Sequence, residues 1–315
     1  MANLHIPRWL LGMALVLLAT LFAKNAYTVS IINLMATAAL VAASMRFVML
    51  IGETSFASAA FVGVGAYGAG VATTLLQWPF WMAMLIGPLV ATVLSILFGV
   101  ITLRVKGPYF MLIGFAFAEA ARIIFSKTAL IGGTSGMVGI FPPRELDAWL
   151  PSFVTLVVLL FLFLLYALEK SDFGKVLVAI RDNENIAKTV GINVLFFKVA
   201  CFAIASFCAG MVGSLHAFVN NVISPGDFGY LLASFALAYV KVGGEGSLFG
   251  AVGGALILVV LGSFALGLGA GEQLFYGGAI VAAILLMPNG LHGVVLGLRQ
   301  KYLRRERGAA SQGVR

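Results

Sequence analysis

Two ionisable residues lie where ionisable residues are expensive. Glu119 and Arg122 fall inside an apolar stretch running from about Tyr109 to Phe125. At i, i+3 they share a helical face and can pair. A charge inside a membrane span is costly unless it pairs or faces water, so the two read either as a structural ion pair or as contacts on a solute or gating pathway. Other chemistries are missing. Gly174-Lys175 is followed by Val176 and position 169 is Glu169, so there is no phosphate-cradling G-x-x-x-x-G-K-[ST] loop. His5, His216 and His292 are scattered without metal-ligand spacing. Cys201 and Cys208 sit about 10 Å apart along one apolar helix, too far for a disulfide, and read as packing residues. No nucleophile elbow or carboxylate pair suggests catalysis. The expectation is a chain that is not an enzyme, with no catalytic residue, no metal and no cofactor of its own.

A second candidate stretch is polar. From Glu169 to Lys198 nine of thirty residues are charged, five positive and four negative. Such a segment cannot sit in hydrocarbon, and its near-balance of signs suits a folded element held against a protein partner better than a lipid-binding basic patch. Val176, Leu177 and Ile180 fall on one helical face. Asp182 or Asn183 can cap a second short helix, Glu184 to Val190, and Gly191 stands where a left-handed C-terminal residue is needed. Two short helices joined at a corner are predicted, against the alternative of an ordinary connecting loop.

The elements that must carry these residues follow from composition. The chain has 315 residues, 61% hydrophobic and 10% charged, and a mean hydropathy of +1.05. That is the signature of an all-α polytopic membrane protein, and at roughly 20 residues per span it allows about ten helices in a single domain, 1–315. The expected spans are Trp9 to Ala23, Val29 to Ile51, Phe56 to Leu76, Phe80 to Leu103, Tyr109 to Phe125, Ser152 to Leu168, Val199 to Val219, Phe228 to Val240, Ser247 to Leu268 and Gln273 to Leu298. The first apolar run lacks a cleavage-site pattern leading into a polar domain and is read as a retained span. With both termini cytoplasmic, sixteen of the twenty Lys and Arg residues fall on the inner side. This positive-inside bias places residues 169–198 in the cytoplasm. Small residues crowd the third span, Ser58 to Gly70, and Gly246, Gly250 and Gly254 recur every four residues along the ninth; both patterns predict close helix packing. Gly132-Gly133 and Gly243-Gly244 read as turns at membrane edges.

Several blocks together resemble the permease family of branched-chain amino acid ABC importers, in particular its longer permease subunit. They are Ser171-Asp172-Phe173-Gly174-Lys175-Val176-Leu177-Val178-Ala179-Ile180-Arg181-Asp182 with Ala187 and Gly191-Ile192-Asn193; Ala59-Ala60-Phe61-Val62-Gly63-Val64-Gly65-Ala66-Tyr67; Gly107-Pro108-Tyr109-Phe110 with Glu119 and Arg122; Gly132-Gly133-Thr134-Ser135-Gly136; Ser224-Pro225; and Gly243-Gly244-Glu245-Gly246-Ser247-Leu248-Phe249-Gly250. The likeness covers about residues 30 to 295 in order.

The resemblance implies a multi-pass subunit of a bacterial inner membrane. Its cytoplasmic loop, 169–198, would dock onto two P-loop ATPases through Phe173, Gly174, Ala179, Ile180, Arg181, Asp182, Ala187 and Gly191. It further implies a second homologous permease and a periplasmic binding protein, with ATP and Mg used by the ATPases and no nucleic acid involved. Ser58, Tyr109, Glu119 and Arg122 are its pathway candidates. The implied solute is a branched-chain or similar amino acid; related permeases carry urea, short amides or aromatic acids. Departures such as Ala57-Ser58-Ala59-Ala60, Ala251 and Gly226-Asp227 after Pro225 bear on the solute more than on the machine. The competing reading is an ion-coupled secondary transporter using Glu119.

Overall fold

A backbone in hydrocarbon has no water to bond to, so each crossing segment must satisfy its own N–H and C=O groups as a helix. The computed structural model describes residues 26–147, 149–267 and 277–278. The expected first span, most of the tenth and the basic tail lie outside the described residues.

In chain order the helices are α1 (Ala26–Met49), α2 (Ser58–Thr74), α3 (Phe80–Thr102), α4 (Pro108–Lys127), the single turn α5 (Arg144–Asp147), α6 (Leu150–Lys170), α7 (Asp172–Asp182), α8 (Glu184–Thr189), α9 (Val194–Asn220), α10 (Tyr230–Gly243) and α11 (Leu248–Gly267). Among the described residues α1, α3, α4, α6 and α9 are each long and apolar enough to cross a membrane. The 17 residues of α2 rise about 25 Å, slightly less than a hydrocarbon core of about 30 Å. Where two spans are expected between Phe228 and Leu268, α10 and α11 form a pair bent by 115°, which by length and composition has the form of a broken span or a re-entrant loop. The fold is thus an all-α multi-pass membrane protein with five to six candidate spans in the described part.

The centre is α9, which packs on α1, α2 and α3, while α1 packs on α6, α10 and α11. Glycine makes the central contacts possible. A Cβ at Gly213 would collide with the Val62 carbonyl, and one at Gly65 with the Gly210 carbonyl. The backbones of α2 and α9 therefore touch directly, as the small-residue pattern of α2 predicts. Ser214 Oγ donates to the Gly65 carbonyl at 3.2 Å across the same contact. Nearby, Phe61 is wedged among Phe98, Phe117 and Phe202, with ring centroids 5.5 to 6.3 Å apart, so four helices share one aromatic knot. Gly250 and Gly254 press on Gly243 in α10, whereas Gly246 lies in the turn before α11 begins. The expected three-glycine stripe is therefore a two-glycine stripe, with Gly243 completing it from the neighbouring helix.

The two ends of the bundle differ in chemistry. One carries α7 and α8 and a concentration of charge. At the other, the loop after α4 pairs with the loop after α9 in a short antiparallel ribbon, β1 (Met137–Val138) against β2 (Val222–Ile223), with Met137 opposite Ile223. The all-α expectation did not include this ribbon, which is only two residues long on each side.

Candidate functional site

The polar segment folds as two helices at a corner, and its local sequence explains each bend. Ser171 closes α6, its hydroxyl donating to the Leu168 carbonyl at 2.7 Å, and α7 starts at the next residue. Gly174 sits so close to the end of α6 that a Cβ would collide with the Glu169 carbonyl. Of the two expected caps, Asn183 does the work: its side-chain oxygen accepts from Asn185 N–H at 3.0 Å and Ile186 N–H at 3.1 Å. Gly191 has φ +84°, the left-handed conformation predicted for it, and lets Ile192 N–H return to the Ala187 carbonyl at 3.1 Å. Asn193 then caps α9 by accepting from Phe196 N–H at 3.2 Å.

The element has an anchored inner face and a bare outer one. Leu177 is buried in the main core, Ile180, Ala187 and Val194 form a small cluster beside it, and Phe173 lies 5.7 Å from the Phe197 ring. Outward, Ile186, Val190 and Phe196 are 61%, 73% and 63% exposed, alongside exposed Ala179, Arg181 and Asp182. Arg181 reaches back: its aliphatic stem covers Gly52 in the turn between α1 and α2, and its head lies 3.4 Å from Asp182.

Glu184 is the electrostatic hub. It pairs with Lys106 from the α3–α4 connection, with Lys198 of α9 at 3.4 Å and with Lys188 at 3.5 Å. Burial alone would push its carboxyl up, but hydrogen bonds and charge from Lys106 and Lys198 hold it below the ordinary carboxylate value. Close by, Glu53 accepts from Gly107 N–H at 2.8 Å, fastening the α1–α2 turn to the start of α4. Burial raises the Glu53 pKa, and the Gly107 bond and the two lysines only partly offset it. Glu53, Lys106, Arg181, Glu184 and Lys198 surround a hollow of about 300 Å³.

Arg46 completes the end of the bundle. Its guanidinium is buried and donates to both oxygens of Glu169, at 2.7 and 2.9 Å, and through Nε to the Glu245 carbonyl at 3.0 Å. It thereby joins α1, the end of α6 and the α10–α11 turn. In the sequence Arg46 and Lys106 count only toward the positive-inside bias, and Glu169 and Lys198 only as members of the charged stretch; none of them, nor Glu53, stands out there as a site residue. A charged residue within a span, as Arg46 is, was the available signal for a partner, but no spacing rule connects residues 46 and 169.

The four pathway candidates are not brought together. Ser58 opens α2 at the charged end, its hydroxyl 3.3 Å from the Ser55 carbonyl, and Tyr109 is exposed in the first turn of α4. Glu119 and Arg122 lie farther along α4, nearer the opposite end, and do pair, Nε to Oε2 at 2.8 Å. The other Glu119 oxygen accepts from Tyr230 N–H at 3.2 Å, so the pair also caps the start of α10. Among the described residues no cluster of His, Cys, Asp or Glu has the form of a metal site.

Comparison with known proteins agrees with this architecture. The family model described as "Branched-chain amino acid transport system / permease component" matches residues 27–291. The chain is similar to the "High-affinity branched-chain amino acid transport system permease protein LivM" of Escherichia coli, 27% identical over 280 residues, 79% of this chain and 65% of that protein. The Salmonella typhimurium protein of the same description is 26% identical over 261 residues, 73% of this chain and 61% of that protein. Each match spans a little less than two thirds of the relative's own length. A solved structure, "PsaBC from Streptococcus pneumoniae in complex with Fab", aligns with 89% of this chain and 94% of that one at 16% identity and a TM-score of 0.46, too distant to carry an argument.

Proposed function

The chain belongs to the family of permease components of branched-chain amino acid transport systems, and from that premise we propose that it is the membrane-spanning subunit of an ATP-driven importer for branched-chain amino acids. The charged end faces the cytoplasm of a bacterial inner membrane, and both termini lie on that side. There α7 and α8 seat in grooves of two ATPase subunits, which supply ATP, Mg and the hydrolysis. A second homologous permease completes the pathway, and a periplasmic binding protein delivers the solute to the loops at the opposite end, about residues 127–150 and 220–227. Closure of the ATPases pulls on α7 and α8, and the bundle rocks between outward- and inward-facing states.

The observation that carries this reading is the two-faced design of α7 and α8. Ile180, Ala187 and Glu184 fasten the inner face to the bundle, while Ile186 and Val190 are left bare outward. An exposed apolar patch on a rigidly held, charged element is what a protein partner covers. Commitment of both Glu119 oxygens to Arg122 and Tyr230 also favours ATP drive over an ion-coupled transporter working through that carboxylate. The test is purification of the chain from its membrane in mild detergent with partners identified by mass. A pair of P-loop ATPases and a second permease are expected; recovery of the chain alone, active in transport, overturns the proposal.

A further inference from the structure

At the end of the bundle opposite the charged cluster, two hollows open side by side. The first, about 390 Å³, lies between α1, α9, α10 and the turn Pro225–Phe228, and Val41, Val212 and Leu231 give it an apolar wall. The second, about 270 Å³, lies between α1, α6 and α9 and is lined by Asn33 and Asn220. Leu34, Thr37 and His216 line both, so the two hollows adjoin. Together they have the size of a small-ligand site with an apolar wall and a few polar groups.

The polar groups are unevenly distributed. Asp227 carries the only formal carboxylate or Lys/Arg charge among the lining residues. One of its oxygens accepts from Ser224 N–H at 3.1 Å, and the exposed carboxylate leaves the other to a ligand. Asn33 is 6% exposed and its side-chain oxygen has no hydrogen-bond partner, an arrangement that a ligand's N–H would relieve. Thr37 adds no free donor, since its hydroxyl bonds the Asn33 carbonyl at 2.9 Å. The Asn220 amide nitrogen lies 3.1 Å from the His216 ring, so an amide and an imidazole stand together at the second hollow.

We propose that this space is the place where this chain holds its solute, with Asp227 receiving an ammonium group, the His216–Asn220 side receiving a carboxylate, and the wall of Val41, Val212 and Leu231 receiving a branched aliphatic side chain. The proposal rests on the permease reading and adds the position of the site and the groups that read the solute. It places recognition between α1, α9 and α10, away from Ser58 and Tyr109.

The test uses the full chain in lipid nanodiscs with Leu34→Cys as a reporter. Leu34 is half exposed, whereas the native Cys201 and Cys208 are buried and do not compete for a thiol reagent. Leucine, 3-methylbutylamine and 4-methylpentanoate are compared as protectants against N-ethylmaleimide. Leucine and the amine slow labelling several-fold and the acid does not; adding Asp227→Asn removes the protection, and the cavity-filling Leu231→Trp slows labelling by itself and makes it insensitive to leucine. Equal slowing by all three compounds, or none by any, overturns the assignment. If labelling is unprotected while the wild-type assembly still imports leucine on ATP, the site alone is wrong. Absence of ATP-driven import by the wild-type assembly defeats the permease reading instead.

Discussion

Arg46 of α1 and Glu169 at the end of α6 face each other in a largely buried, two-pronged ion pair, each terminal guanidinium nitrogen on one carboxylate oxygen. Removing one partner leaves the other charge without compensation, at a cost of about 3–5 kcal/mol for a buried pair. Arg46→Met should therefore lower the thermal midpoint in detergent sharply, and Arg46→Met with Glu169→Leu should recover most of the loss. A single variant as stable as the parent would show that the pair does not hold α1 to α6.

The Glu184 hub gives a pH dependence with a definite sign. Its folded-state pKa is depressed, so the stabilisation from Lys106 and Lys198 is complete above the ordinary carboxylate value and is lost as pH falls through the depressed one. Amide exchange at Asn185 to Ala187, normalised to the intrinsic rate at each pH, should accelerate in acid, and Glu184→Gln should remove that dependence. Glu53 works the other way. Its raised pKa makes its contribution largest at low pH and weakest once pH has risen through that value.

Arg181→Glu reverses charge on the exposed face of α7, and Ala179→Pro breaks the helix at a cost of about 3 kcal/mol. Both should cut uptake at least tenfold while leaving the amount of chain in the membrane unchanged, as read by quantitative blotting of membranes beside a transport assay. Normal uptake by both variants would count heavily against docking through this helix.

For Glu119 the geometry predicts a small effect. Gln keeps an acceptor for Tyr230 N–H but loses both the charge and the hydrogen bond to Arg122; because neither contact is to solute, Glu119→Gln should leave the KM for uptake within about twofold of the parent. A large rise in KM would place the carboxylate on the solute path.

Much of this was readable in the residues because the signals were local. The caps and corner around Asn183 and Gly191 depend on neighbours a few residues away, and the small residues of α2 announce a helix that must touch others. What stayed hidden depends on distant partners. Nothing in the chain near Arg46 points to Glu169, and nothing near Glu184 points to Lys106, because apolar periodicity is blind to pairings between separate helices. The α10–α11 bend was hidden for a related reason: the apolar runs flanking Gly243-Gly244 read as two spans, and the contact of Gly250 and Gly254 with Gly243, between helices that meet at 115°, is one that no local pattern announces. The cavity near Asp227 was invisible because its walls come from α1, α9 and α10, each ordinary by itself.

In the proposed function, ATPases seated on α7 and α8 drive the movement of this bundle. The most direct measurement is leucine uptake into vesicles holding the purified assembly, with ATP supplied or withheld on the α7–α8 side and ion gradients collapsed. Uptake should follow ATP, survive collapse of the gradients and disappear with Arg181→Glu. Uptake that persists without ATP and stops when the gradients are collapsed would contradict it.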